Sequence, residues 1–185
     1  MKKFIRSISV ATLAMAMAIP AMADRVLNAD VVVGAGAGGT VAAASAQEAG
    51  LKTVLLEKNA FAGGAGNFME GTFAVESFMQ KKAGVKLTKL EEFNRMGEYH
   101  HWRSNAPLVK RFIEESPKTI QWVWDHGVHW KEVKSVWAGN KNLTWHIYPH
   151  AGSLPAAMVN TFQKKGGTLL LQTPGETLIM KDGRA

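Results

Sequence analysis

The 185-residue chain carries 22 Lys and Arg against 15 Asp and Glu, a formal charge of +7, with 46% hydrophobic residues and no cysteine. The lack of cysteine excludes disulfides, thiolate metal sites, a thiol nucleophile and thioether attachment of a c-type haem. The cations are scattered rather than gathered into the stripe that phosphate-backbone binding needs, which excludes nucleic acid as a partner.

At the N-terminus, Lys2, Lys3 and Arg6 precede an apolar run from Ile8 to Ile19 and the small-x-small sequence Ala21-Met22-Ala23. This pattern predicts a secretory signal peptide over residues 1–23, cleaved before Asp24, and an exported, periplasmic product. The apolar run is about a dozen residues where a span needs roughly twenty, so no membrane span is expected after cleavage. No paired arginines mark a folded-state export route, and any cofactor is expected to be acquired outside. Loss of the leader leaves 19 basic residues against 15 acidic, a charge of +4. The remaining chain, about 160 residues, suffices for one compact domain but not for the two-domain architecture of most nucleotide-dependent enzymes.

Val31-Val32-Val33 is a β-branched run of the kind found buried on both faces of a parallel sheet. It feeds into Gly34-Ala35-Gly36-Ala37-Gly38-Gly39. In such a turn Gly34 permits the tight bend, Gly36 lets the backbone approach a pyrophosphate, and Gly39 lets the next helix pack on the strand. Thr40 to Glu48 is alanine-rich and helix-forming, with Gly50 as its left-handed stop. Its N-terminal amides and dipole would meet phosphate without any basic side chain. A second strand over Thr53 to Leu56 ends in Glu57, 18 residues past Gly39, where a carboxylate can bind both ribose hydroxyls of an adenosine and repel a 2'-phosphate. The spacing points to an adenine dinucleotide and leaves NAD and FAD as alternatives.

The following residues, "EKNAFAGGAGNFMEGTFAVES", resemble the loop after the second strand in the fumarate reductase and succinate dehydrogenase flavoprotein family, and the leader resembles its exported, flavocytochrome c-like branch. The resemblance implies FAD rather than NAD, held by Gly34, Gly36, Gly38, Gly39, Glu57, Lys58, Gly63, Gly64, Ala65 and Gly66, with Gly71 as a further candidate. Two positions depart from the family pattern. Ala65 stands where asparagine usually follows the two glycines, with Asn67 two residues on, and Glu70-Gly71-Thr72 replaces a later glycine pair.

Farther along, Thr88-Lys89-Leu90-Glu91 predicts a capping box opening a helix towards Trp102. Asn105 and then Ser116-Pro117 offer further helix starts, with Ile120, Val123 and Trp124 on one face and Gly127 as a stop. "HIYPHAGSLPAAMVNTFQKKGG" reads as a loop and a helix, Thr168 to Gln172 as a returning strand, and Thr177 to Met180 as a strand entering a hairpin turn at Lys181-Asp182-Gly183-Arg184. The expected fold is α/β, a Rossmann-like FAD-binding domain with a parallel sheet and a helical insertion. Residues 24–84 form the βαβ unit and its loop, 85–144 the insertion, and 145–185 the return to the domain, with the C-terminal part of the fold missing.

His100 and His101 diverge on a helix, Gly127 interrupts His126 and His129, and Pro149 lies between His146 and His150, so no metal site is expected. His146 and His150 are candidates for the substrate side, against the alternative of loop histidines bonded to backbone. The six tryptophans, Trp102, Trp122, Trp124, Trp130, Trp137 and Trp145, read as core rather than as a ligand cage. By resemblance, the function is that of the FAD-binding N-terminal portion of an exported oxidoreductase. Its hydride transfer would link flavin to a small carboxylate substrate, with electrons from a separate cytochrome or flavin protein. A non-catalytic flavin-binding remnant, or a subunit completed by another chain, is the alternative.

Overall fold

The computed structural model describes residues 26–135 and 142–182. The expected signal peptide and Trp137 lie outside the described residues. The chain opens with β1 (Val31–Gly34), α1 (Ala37–Glu48) and β2 (Thr53–Leu56). A 3-10 turn over Gly64–Phe68 leads to β3 (Gly71–Phe73), α2 (Phe78–Lys82), α3 (Lys89–Tyr99) and α4 (Ala106–Asp125). Then come β4 (Val133–Lys134), β5 (Trp145–Ile147), α5 (Ser153–Lys164) and β6 (Thr168–Leu170).

The first sheet has the order β1-β2-β6 and is parallel throughout, in register Val33 with Leu55 and Leu55 with Leu169. A parallel pair needs a crossover, which α1 supplies between β1 and β2. Ala43 and Ala44 are fully buried, and their small side chains let α1 lie close to α5, whose Met158 and Phe162 are also fully buried. The chain is thus α/β with a Rossmann-like parallel sheet. The second sheet is antiparallel in the order β3-β5-β4, with Thr72 opposite His146 and Lys134 opposite Trp145.

Several expectations hold locally. Gly50 takes φ +83 beyond α1, and Thr88 accepts from the Glu91 amide while the Glu91 carboxylate accepts from Thr88 N–H, the full capping box. Asn105 caps α4 through Leu108 N–H at 3.1 Å.

Others are corrected. Val31–Val33 is not buried on both faces: α1 packs against β1 and Val33 joins the core, whereas Val32 points to the other face and is 58% exposed. Ser116-Pro117 does not start a helix, since Pro117 lies inside the continuous α4. Proline removes the amide that would reach the carbonyl four residues back. Here that carbonyl, Ile113 O, receives the Ser116 hydroxyl instead at 2.8 Å. The helix expected towards Trp102 ends at Tyr99, and His101 and Trp102 adopt φ +51 and +56. His146 and Ile147, read as loop, lie in β5. The returning strand stops at Leu170, and Thr177 to Met180 joins no ladder among the described residues.

Candidate functional site: a glycine cradle at the end of the parallel sheet

The sequence places two glycine-rich turns about 25 residues apart, and the fold brings them together. Gly36 caps α1 in extended geometry, φ −73 and ψ −179, without any side-chain cap. The first intrahelical bond runs from Thr40 N–H to Gly36 O at 2.9 Å, so the amides of Ala37, Gly38 and Gly39 precede the helix's own ladder. They carry the positive end of the dipole of a 12-residue helix. The second turn is stitched to the first by Gly63 N–H donating to Ala35 O at 2.6 Å and by a bridge between Gly36 and Gly63.

Each glycine has its own reason to lack a side chain. A Cβ on Gly39 would lie 1.7 Å from Gly34 O, so this residue is required by helix-on-strand contact. Gly66 is similar, for its Cβ would meet that of Ala37 at 2.7 Å. Gly63 and Gly64 adopt φ +112 and +51, which disfavour any side chain. At Gly34, Gly36 and Gly38 an added Cβ would meet nothing within 4 Å. The protein's own packing does not call for glycine there, so the open space at those three positions is a cradle that a bound group could use.

Beside the cradle lies a cavity of about 1010 Å³, lined among others by Val32, Gly34, Gly36, Glu57, Lys58 and Thr173. Its volume is at the top of the range usual for ligand clefts, roughly 300–1,000 Å³. Glu57 is buried, 7% exposed, at the end of β2. One of its oxygens accepts from Asn59 N–H at 2.9 Å, and its main chain is fixed by bonds to Leu170 O and from Thr173 N–H. Lys58 is exposed at the rim. Gly38, Gly39 and the Gly63–Gly66 turn do not line this cavity; Gly63 and Gly64 adjoin it through Gly36.

Two features were missed by sequence reasoning. The extended segment from Thr173 to Ile179 forms one wall of the cavity, and no local pattern marks it as such. Asn67, noted only as displaced from the family position, donates to Ala62 O at 2.9 Å and packs against Gly63.

Gly71, His146 and His150 lie outside the lining of this cavity. Gly71 sits in β3 opposite Ile147, and a Cβ there would strike His146 O at 2.6 Å and the Trp145 indole at 2.7 Å. His146 is fully buried, with Nε2 2.7 Å from Ser77 Oγ and Nδ1 3.2 Å from Thr144 O. Burial pushes its pKa below the usual histidine value despite opposing backbone bonds at Thr144 and Thr72. It is therefore a neutral crosslink between β5 and the start of α2. His150 is exposed and bonded to Ser153 Oγ at 2.9 Å where α5 begins. Trp130 is 4% exposed and stacks on Tyr148, as expected of core, whereas Trp102 is 55% exposed.

The FAD-binding domain family model matches residues 30–185, from just before β1 onward. The chain belongs to this family. Vinyl phenol reductase of Lactiplantibacillus plantarum is 37% identical over 80% of this chain and 30% of its own length. NADH:fumarate oxidoreductase of Klebsiella pneumoniae is 28% identical over 81% of this chain and 17% of its own. Among solved structures, 3-ketosteroid-Δ4-(5α)-dehydrogenase from Rhodococcus jostii superposes with a TM-score of 0.71, at 19% identity, over 83% of this chain and 40% of that one, a likeness of fold. The chain spans less than a third of the length of these curated relatives. It corresponds to the FAD-binding part of flavoproteins of the fumarate reductase and succinate dehydrogenase kind, and the family implies FAD as cofactor.

Proposed function

We propose that this chain holds FAD for an exported reductase. The observation that carries this reading is the juxtaposition of the open backbone at Gly34 and Gly36 with the buried carboxylate of Glu57 at one cavity, with the equally open Gly38 one residue into the helix beside it. The residues fit the group: α1's first-turn amides would meet the pyrophosphate, and Glu57 would accept from the ribose hydroxyls. Lys58 lies at the rim, Gly63 and Gly64 adjoin Gly36 from the second turn, and we assign Ala65 and Gly66 to the same site by the family resemblance. FAD, when bound, supplies hydride chemistry. This chain's residues bind and orient the dinucleotide, and Glu57 disfavours a competing 2'-phosphate.

The names of the relatives bear on substrate class. Fumarate is a small carboxylate, as the resemblance implies for this protein, but vinyl phenol has no carboxylate. What the two share is a conjugated carbon–carbon double bond, and we assign that as the substrate class, with a small carboxylate as its narrower form. Electrons would come from a separate cytochrome or flavin protein. The share of the relatives' length that the chain spans favours a second reading, a flavin-binding unit that is catalytic only with further polypeptide.

Purified protein should show flavin absorbance bands. Gly36→Val and Glu57→Ala should each weaken FAD retention at least tenfold, while circular dichroism stays unchanged. Undiminished retention in both variants would overturn the reading. Reduced flavin reoxidised by an unsaturated carboxylate would favour the reductase; stable reduced flavin would favour the binding unit.

A further inference from the structure

The C-terminal ends of three helices, α1, α4 and α5, converge at a polar cluster at the opposite end of α1 from the first glycine turn. Glu48 closes α1, His126 caps α4 and Lys165 caps α5. Glu48 Oε1 lies 2.8 Å from His126 Nε2 and 3.2 Å from Lys165 Nζ. Its other oxygen accepts from Trp122 Nε1 at 3.1 Å. The second ring nitrogen of His126, Nδ1, lies 2.5 Å from Trp122 O. The imidazole lies against the Trp122 indole, tilted by 31° with centroids 4.1 Å apart.

Both histidine nitrogens thus face oxygens that can only accept. A neutral imidazole has one N–H and one bare lone pair, so it would aim that lone pair at a carboxylate or a carbonyl. Only the imidazolium donates at both positions. Three helix C-termini add partial negative charge around it, which again favours a cation. We propose that His126 and Glu48, steadied by Lys165, form a proton-operated latch that fastens the end of α4 to the ends of α1 and α5.

The groups facing His126 are Glu48 from α1 and Lys165 from the end of α5; on its own helix, Asp125 is engaged by Gln121 at 2.9 Å. Burial favours the neutral imidazole, but hydrogen bonds to Glu48 and Trp122 O, with the charge of Glu48, outweigh it and the opposing Lys165, raising the pKa above 6.5. The His126 hydrogen bond, against partial burial and helped by Lys165, lowers that of Glu48 below 4.5. A raised histidine value means that stabilisation is complete below the unfolded value of 6.5 and is lost as pH rises through the folded value. A lowered carboxylate value means that stabilisation is present above 4.5 and is lost as pH falls through the folded value. The latch is closed between these limits.

Histidine ring NMR on the wild-type chain tests this directly. The His126 midpoint should lie above that of a free histidine, and Glu48→Gln should lower it. A midpoint at or below the free value, or one indifferent to Glu48→Gln, overturns the latch. In thermal unfolding, the Tm advantage of wild type over His126→Gln should be largest near about pH 6 and shrink by about pH 9. A gap that is equal at both overturns it as well. The wild-type titration decides the matter even if a variant fails to fold.

Discussion

Around the first glycine turn the deciding contacts are made by main-chain atoms: Gly39 against Gly34 O, Gly63 N–H to Ala35 O, Thr40 N–H to Gly36 O. The region from Gly71 to Tyr148 is joined instead by side chains that reach far along the chain. Ser77 meets His146, Gln80 Nε2 donates to Leu143 O at 2.7 Å, Tyr148 pairs with Thr72, and Ser116 Oγ accepts from Val75 N–H at 3.0 Å. On the proposed function, the contrast has a physical reason: a surface that presents amides to an anion must keep side chains away, whereas a region outside that surface can use side chains as crosslinks.

The main-chain contacts are most sensitive at Gly39. Its missing Cβ leaves room for the Gly34 carbonyl, and Gly39→Ala forces helix and strand apart, at an expected cost of about 3 kcal/mol. Gly36→Ala, with nothing within 4 Å of the new methyl, should cost about 1 kcal/mol or less, through the helix cap alone. Chemical denaturation of the two variants measures the difference. Equal losses would show that the two glycines are not divided between packing and ligand.

A second, smaller effect is expected at Ser116. Its hydroxyl both donates to Ile113 O, freed by Pro117, and accepts from Val75 N–H, in a site only 5% exposed. Ser116→Ala leaves two buried main-chain groups unpaired and should lower stability by about 2 kcal/mol. Pro117→Ala in the same background restores the amide donor to Ile113 O and should recover part of the loss. No recovery would mean that the serine does not compensate for the proline.

The same contrast explains what could be read from sequence. The strand, turn, helix, strand and acid from Val31 to Glu57 follow local rules of spacing, and the fold reproduces them element by element. The burial of Val31–Val33 is not legible because it depends on what packs on each face of the sheet, a tertiary property. By local rules Pro117 predicts a helix start, and one hydroxyl reverses its effect on α4. Two readings of His146 stay open in the sequence because its partner, Ser77, is 69 residues away. Glycine position reveals the cradle; nothing local reveals the wall from Thr173 to Ile179.

The smallest effect is expected at the start of α4, where a single side chain caps the helix. Asn105 Oδ1 accepts from Leu108 N–H at 3.1 Å, and Pro107 in the first turn needs no partner for an amide it lacks. Asn105→Ala removes this cap and should cost about 1 kcal/mol, and Asn105→Asp, which keeps the acceptor and adds a charge suited to the dipole, should cost nothing measurable. Because α4 is also fastened at its other end through His126 and Glu48, the loss should show as faster amide exchange confined to its first turns. Exchange spreading along all of α4 would mean that its ends are not secured independently. Side-chain crosslinks in this region would then act as one cooperative unit.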